Sequence, residues 1–403
     1  MPPSLPYQRS ARSGTSTSLP WAAHASLDQP ECDLLLLRKS SALLAALSSG
    51  QLADPAVLLA APLHPTAAAA HRHRAQFAAQ PGPPVRLCQF DATRRASLPA
   101  TRESLPVLSA PIGAALACVA ALSARGEAAA AWRRLAAVDA HSTAWGELCL
   151  TLVYAAPPPP ADEWHAAADA LRAALLGSGA VRRAVVVCRS RRVRRVCGGA
   201  PRLREELVLR DGLALRYEQP EGHFSNPCAS AAARVLEWLR GAAAAARAPD
   251  LLELHSGFGA STVALAPLFR RVLSVEVARA LADAQRDNLA LNGVDNVRVV
   301  RMDTRHLAEW LAREAAGGAA EWQFGAVLVD PPRGGLRADE LRLLEGFEHI
   351  LGVWCNQEAM LANLQHLRRT HRVVKFAMFD QFPFTDFLEC AALLERASDG
   401  QGS

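Results

Sequence analysis

The chain has 403 residues, half of them apolar, with a formal net charge of +5. At roughly 150 residues per domain, this predicts two or three domains with sizeable cores and excludes an intrinsically disordered chain. Lys39 and Lys375 are the only lysines in an Ala- and Arg-rich composition, so the mild positive charge permits an RNA-binding face without demanding one.

Nine cysteines occur without a single C-x-x-C pair. This argues against a zinc ribbon, an iron–sulfur cluster or a disulfide framework, and for a reducing compartment; no metal is expected. The first thirty residues contain Arg9 and Arg12, many Ser and Thr, no acidic residue before Asp28 and no apolar signal core. They read equally as an organellar transit peptide or a disordered tail, so the expected location is cytoplasmic, or organellar in the first case.

In chain order, Glu31 to Gly50 predicts an amphipathic helix. The short apolar stretches that follow, with Gln76 to Phe90 broken by Pro81-Gly82-Pro83-Pro84, read as strands of a mixed sheet. The uncharged run from Ser104 to Ala124 is rich in alanine and interrupted by proline, and predicts a core helix starting near Pro111, not a membrane span. Gly126 to Ala137 and Asp162 to Leu176 read as helices, with a strand at Leu148 to Val153 and a loop at Pro157 to Pro160. Ala184 to Cys188 reads as a strand, after which Arg189, Arg191, Arg192, Arg194 and Arg195 predict a surface. From Leu251 onward, strands at Leu251 to Leu254, Arg271 to Val275, Val297 to Arg301, Ala326 to Val329, His349 to Val353 and Arg372 to Phe376 alternate with helices. That alternation indicates a doubly wound α/β sheet.

The first of these strands runs into His255-Ser256-Gly257-Phe258-Gly259, a turn where backbone can approach a ligand, and the second ends on Glu276, placed to accept hydrogen bonds from ribose hydroxyls. Thr262 stands where a dinucleotide fingerprint has its third glycine, so a nucleoside cofactor without a pyrophosphate fits better than NAD. Asp303 either reaches an adenine or is an ordinary exposed carboxylate at a strand end. Asp330 closes another strand and is followed by Pro331 and Pro332; in such sheets ligands bind outside the carboxyl ends of strands. Cys355 follows the His349 to Val353 strand. An isolated Cys is usually a small buried hydrophobe, but a thiol before a helix start can be shifted toward thiolate by the helix dipole. Glu389 becomes a base candidate only in company with Cys355.

Six segments carry a family resemblance: HRHRAQF at 71–77, FSNP at 224–227, LLELHSGFG at 251–259, VDPPRGG at 329–335, CNQE at 355–358 and DQFPFTDFLECAALL at 380–394. From about residue 32 onward the chain resembles the TrmA family of tRNA uracil-5-methyltransferases. The resemblance implies a class I methyltransferase, a Rossmann-like doubly wound sheet, over 221–403, behind an N-terminal mixed α+β RNA-binding domain over 31–220. It implies S-adenosyl-L-methionine as cofactor, held by Asn226, His255, Gly257, Gly259, Glu276 and Asp330, and the T arm of tRNA as partner to a monomer without metal or membrane contact. It further implies that the Cys355 thiolate adds to C6 of the T-loop uridine at position 54, so that C5 takes the methyl, and that Glu389 then removes the C5 proton. The target base must leave its stack.

Several positions depart from the family pattern: Asn226 for Gln, His255 for an aromatic residue, Ala260 for Asn, and Gln357 and Ala359 for Pro and Thr. These predict weaker cofactor binding and a looser catalytic turn. Two other functions stay open, a ribosomal RNA uracil-5-methyltransferase and a catalytically idle tRNA-binding or folding protein.

Overall fold

The structure, a computed structural model, describes residues 29–90, 97–100, 105–316 and 322–397. The alternatives drawn for the first thirty residues lie outside the described residues, except for Gln29 and Pro30, which open a helix. The chain runs α1 (Gln29–Ser49), α2 (Pro55–Leu59), β1 (Leu63–His64), β2 (Arg74–Gln80), β3 (Arg86–Phe90), β4 (Ser97–Pro99), α3 (Ala110–Ala124), α4 (Ala129–Trp132), β5 (Leu135–Ser142), β6 (Glu147–Tyr154), α5 (Ala161–Gly177), β7 (Arg183–Arg189) and β8 (Arg194–Cys197). A hairpin of β9 (Arg202–Val208) and β10 (Ala214–Pro220) follows.

Strands β2 to β8 form a seven-stranded sheet in the order β4-β3-β2-β5-β6-β7-β8. Its one parallel pair, β6 and β7, is bridged by α5. Pro160 caps α5, Asp162 and Glu163 complement the helix dipole in its first turn, and Trp164, Ala167, Ala168, Leu171 and Leu175 form its buried stripe. Strand β6 is buried almost throughout, with Leu148, Leu150 and Leu152 in the main core and Cys149 packed with Val185, Val187 and Leu203 on the opposite face. A strand covered on both faces reads as a continuous apolar run, as β6 does.

The helix expected over Gly126 to Ala137 is cut to the single turn of α4, because Arg134 turns into the left-handed region at φ +62° and β5 starts at Leu135. Alanine content favours helix only weakly, and pairing of β5 with both β2 and β6 overrides it.

The second half continues with α6 (Ala229–Ala246), β11 (Asp250–Leu254), α7 (Ala260–Leu265), β12 (Arg271–Glu276), α8 (Arg279–Leu291), β13 (Val297–Arg301), α9 (Leu307–Ala316), β14 (Phe324–Val329), α10 (Ala338–Leu344), β15 (His349–Trp354), α11 (Gln357–Leu367), β16 (His371–Phe379) and β17 (Glu389–Arg396). The sheet order is β1-β16-β17-β15-β14-β11-β12-β13. Strands β11 to β15 are parallel, and β17 inserts antiparallel between β15 and β16. Strand order reverses between β11 and β14, the point where open α/β sheets form a crevice at the carboxyl ends of their strands.

The first described segment also joins this sheet. Strand β1 pairs with β16, and Leu36, Leu43 and Leu47 of α1 pack into the core that contains Phe376, Met378 and Cys390. Residues 29–64, expected with the N-terminal domain, thus cover the far end of the second sheet. Lys39 of α1 reaches Asp380 there at 2.6 Å.

Candidate active site

Three strand ends bring Asp330, Cys355 and Glu389 to one edge. Trp354 of β15 pairs with Cys390 of β17, the last pair of this antiparallel ladder, so Cys355 and Glu389 stand next to each other at its end. Asp330 follows β14, whose Val329 aligns with Gly352 of β15. Helix α11 begins directly beyond Cys355, capped by the Asn356 carboxamide oxygen, which accepts from the Glu358 amide at 3.0 Å. Asn356 Nδ2 also donates to the Arg333 carbonyl at 2.9 Å, tying the thiol's turn to the loop after Asp330. Gln357 replaces the stiffening lost with proline by donating to the Asp386 carbonyl at 2.9 Å, so the loosening expected at this position is offset.

The electrostatics run against a resting thiolate. Burial pushes the Cys355 thiol up to about 12, Glu389 and Asp330 push the same way, and only Arg333 among the neighbouring side chains opposes them. Two carboxylates and burial outweigh the half-charge of a helix N-terminus, so the dipole effect expected from sequence does not prevail. Glu389 is 3 % exposed, and burial followed by repulsion from Asp330 drives its carboxyl above the usual range, again with Arg333 opposing. Burial raises Asp330 too, with His255 opposing. The residue as a whole nevertheless keeps solvent-exposed surface at the end of β14. A cation entering there favours the ionised forms of these groups. Arg333 rests on the rings of Phe382 and Phe387, 6.0 and 5.0 Å from their centroids, and the two rings are themselves in edge contact.

The glycine turn lies at the end of β11. Gly257 adopts φ +58°, and its N–H donates to Glu276 Oε2 at 2.9 Å; Glu276 Oε1 accepts from the Ala278 amide at 2.7 Å. A Cβ on Gly257 would meet nothing within 4 Å, whereas one on Gly259, at φ +86°, would lie 2.6 Å from Gln285 Cγ. The turn is thus open toward the crevice and closed toward the protein. Beneath it, the fully buried Gln285 amide donates to Thr262 at 2.7 Å and Ser274 at 2.6 Å and accepts from Ser256 at 3.1 Å, and Thr262 donates to Glu253 at 2.6 Å.

Sequence reasoning missed this network. Its signal was the one polar residue between the end residues of each strand, Glu253 in β11 and Ser274 in β12. Open backbone, a carboxylate at the second strand end and the absence of a third glycine fit a nucleoside carrying no pyrophosphate. His255, in the left-handed region at φ +59°, bonds Glu340 at 2.9 Å, which fixes its ring. Asp303 is engaged by Arg305 at 2.8 Å, which holds its carboxyl well below the usual range.

The basic segment at 71–74 serves the junction between the two sheets. Arg74 Nη1 donates to the His223 carbonyl and to Ser225 Oγ, and the His73 amide donates to the Pro227 carbonyl at 2.7 Å. Burial lowers His71 and His73 to about 4, so both are neutral. These contacts hold the 223–227 loop and with it the half-buried Asn226. The donors of this basic segment are taken up here by buried carbonyls at the junction, which need partners. Of the later cluster, Arg183 pairs with Glu147, Arg189 with Asp139 and Glu221, Arg194 with Glu221, and Arg195 donates to the Pro159 carbonyl. Arg182, stacked at 6.0 Å over the exposed Trp145, stays outward with Arg191 and Arg192. Among the described residues, no group of three or more His, Cys, Asp or Glu could hold a metal, and no helix is long and apolar enough to cross a membrane.

Comparison with known proteins gives a concordant result. The chain is 38% identical over 311 residues to a tRNA/tmRNA (uracil-C(5))-methyltransferase of Azoarcus sp. (strain BH72), covering 74% of this chain and 80% of that protein. A protein of the same description from Ectopseudomonas mendocina (strain ymp) is 39% identical over 280 residues, 66% of this chain and 74% of the relative. In fold the chain is similar to the crystal structure of Pyrococcus abyssi tRNA (uracil-54, C5)-methyltransferase in complex with S-adenosyl-L-homocysteine. The TM-score is 0.66 at 17% identity, with 90% of this chain and 83% of that one covered. The profile of the tRNA (Uracil-5-)-methyltransferase family matches residues 71–397, from the basic segment at the sheet junction through β17. With Asp330, Cys355 and Glu389 on adjoining strand ends beside the glycine turn, and a family match over most of its length, the chain belongs to the tRNA (uracil-5-)-methyltransferase family.

Proposed function

We propose that this protein methylates C5 of the T-loop uridine, position 54, of tRNA with S-adenosyl-L-methionine, using Cys355 as nucleophile and Glu389 as base. The observation that carries the reading is the register of β15 against β17, which sets a thiol next to a buried carboxyl beside the crevice. Once its proton is lost, the Cys355 thiolate forms a bond to C6 of a flipped uracil, and the C5=C6 electron pair makes C5 a carbon nucleophile. Bound S-adenosyl-L-methionine supplies an electrophilic methyl group. Glu389 then takes the C5 proton, the electrons of that bond restore the C5=C6 double bond, and Cys355 leaves as a thiolate.

Arg333 favours the ionised form of both residues. Glu276 and the backbone at Gly257 and Gly259 take the nucleoside, with Asn226, His255 and Asp330 lining the same crevice. The seven-stranded sheet domain, with Arg182, Arg191 and Arg192 facing outward, supports the RNA in this reading, and the eight-stranded domain carries out the chemistry. The enzyme acts as a monomer, in the cytoplasm or in an organelle.

The test is transfer of labelled methyl from S-adenosyl-L-methionine to a T-arm RNA. The expected outcome is transfer by the wild type and none by Cys355→Ala. Tight tRNA binding without transfer would favour a folding or binding role instead, and transfer to ribosomal RNA fragments alone would replace the substrate.

A further inference from the structure

Lys39 is an unusual lysine: it is 8 % exposed, inside α1, and one of two in the chain. Its ammonium donates to Asp380 Oδ1 at 2.6 Å, to the carbonyls of Thr385 and Phe387 at 3.1 Å each, and to that of Phe382 at 3.3 Å. One charge, 341 residues away in sequence from Asp380, therefore gathers the whole loop between β16 and β17. The loop adopts a conformation that the segment would not hold unaided. Phe384, buried, sits at φ +62°, and Asp380 Oδ2 and both amide atoms of Gln381 are buried without a hydrogen-bond partner. Left-handed backbone and unpaired buried polar atoms persist only where other contacts impose them, and the Lys39 cluster is such a contact.

The loop leads directly into Glu389, and it presents the Phe382 and Phe387 rings on which Arg333 rests. We propose that Lys39 is a positioning residue for the reaction edge: by fixing the carbonyls of Phe382 and Phe387 it fixes their rings, and so holds the Arg333 guanidinium beside Cys355 and Glu389. The charged groups facing Cys355 are Glu389 from β17, Asp330 from the end of β14 and Arg333 from the loop after it; Glu389 faces Asp330 and Arg333. Asp330 in turn faces His255 and Glu253. Near Lys39 itself lie Asp380, Asp33 and Cys32. Among the described residues, Arg333 is the side-chain cation that acts on the thiol, so releasing it makes the thiol harder to ionise.

The activity arm of the test rests on the proposed methyl transfer, and a thiol arm does not. Alkylation of Cys355 by iodoacetamide, followed by the mass of its peptide between pH 6 and 9.5, reports thiolate content. In Lys39→Met, alkylation at a given pH should slow by about tenfold, since losing a neighbouring opposite charge moves a thiol by about one pH unit. Turnover on T-arm RNA should fall by a similar factor, with KM changed less than about threefold.

Phe387→Leu should give the same alkaline displacement with Lys39 intact. The double variant Lys39→Met/Asp380→Asn removes the stranded carboxylate and serves where the single variant does not fold; it should retain the displacement, because the three carbonyls stay untied. Leu47→Ala, a cavity elsewhere in α1, should lower the melting temperature and leave the alkylation profile in place. A folded Lys39 variant with unchanged alkylation and turnover overturns the proposal, as does an equal displacement in Leu47→Ala. Wild-type protein that is alkylated normally yet transfers no methyl counts against the proposed function alone, and the alkylation comparison still decides the role of Lys39.

Discussion

Replacing each glycine of the β11 turn with alanine should separate stability from ligand binding, because the two added Cβ atoms meet different surroundings. At Gly259 the new carbon would lie 2.6 Å from Gln285 Cγ, in a backbone conformation of φ +86°. The left-handed conformation costs an L-residue about 1–2 kcal/mol. Displacing Gln285, fully buried and hydrogen-bonded to Thr262, Ser274 and Ser256, forfeits one or two bonds worth about 1 kcal/mol each. The sum is about 2–4 kcal/mol, which for a domain of this size lowers the melting temperature by about 5–15 °C.

At Gly257 the Cβ meets no atom within 4 Å, so the stability cost is the backbone strain alone, about 1–2 kcal/mol. The methyl group would instead project into the open space beside the turn, where the proposed nucleoside lies. Thermal melting with calorimetric titration of S-adenosyl-L-homocysteine should therefore show Gly259→Ala strongly destabilised. Gly257→Ala should melt within a few degrees of the wild type and bind at least about tenfold more weakly. Equal melting of Gly259→Ala and wild type would refute the packing argument, and unchanged affinity in Gly257→Ala would refute the placement of the ligand.

Glu389→Gln should leave Cys355 able to add to the base but stop removal of the C5 proton, so a covalent protein–RNA band should accumulate on denaturing gels in the presence of cofactor; its absence would remove Glu389 from that step. Glu253 offers a test by pH. Burial raises its folded pKa to about 8 from an ordinary 4.5, so the folded state holds a proton that the unfolded chain releases, and the stability it contributes is present below about pH 4.5 and lost as pH rises through 8. Glu253→Gln, which keeps an acceptor for Thr262, should melt higher than the wild type at pH 8.5 and close to it at pH 5, and identical melting curves at both values would contradict the shift. Arg74→Ala should release the 223–227 loop and raise KM for cofactor more than it lowers kcat, whereas a phosphate-contacting Arg74 would instead weaken RNA binding in a salt-dependent way.

Periodicity exposed the second domain well, because parallel strands buried on both faces read as short apolar runs that only helices interrupt. Strand β17 was less legible. Its eight residues, Glu389–Arg396, are apolar at both faces and Ala-rich, and nothing local distinguishes a strand inserted antiparallel between two others from a buried helix segment. Local alanine content likewise misled at Gly126 to Ala137, where pairing on both sides made β5.

Among site residues, Gly257, Gly259 and Glu276 followed from spacing within one βαβ unit. Cys355 and Glu389 are thirty-four positions apart, and it took the family resemblance to couple them before the ladder between β15 and β17 made them neighbours. The Arg-rich segments illustrate the opposite case. Their charge marks them as surface, yet Arg74 ends on a carbonyl and a hydroxyl, and Arg183 and Arg189 end on carboxylates.

By itself, then, the sequence determined the doubly wound second domain, the glycine turn and the residue types available for chemistry, because each depends on local periodicity and on spacing within a few tens of residues. Tertiary structure alone decided the protonation tendency of Cys355, the employment of the arginines and the attachment of α1, through Lys39, to the loop that leads into Glu389. Those depend on burial and on charges brought together from distant segments, and local pattern carries no information about either.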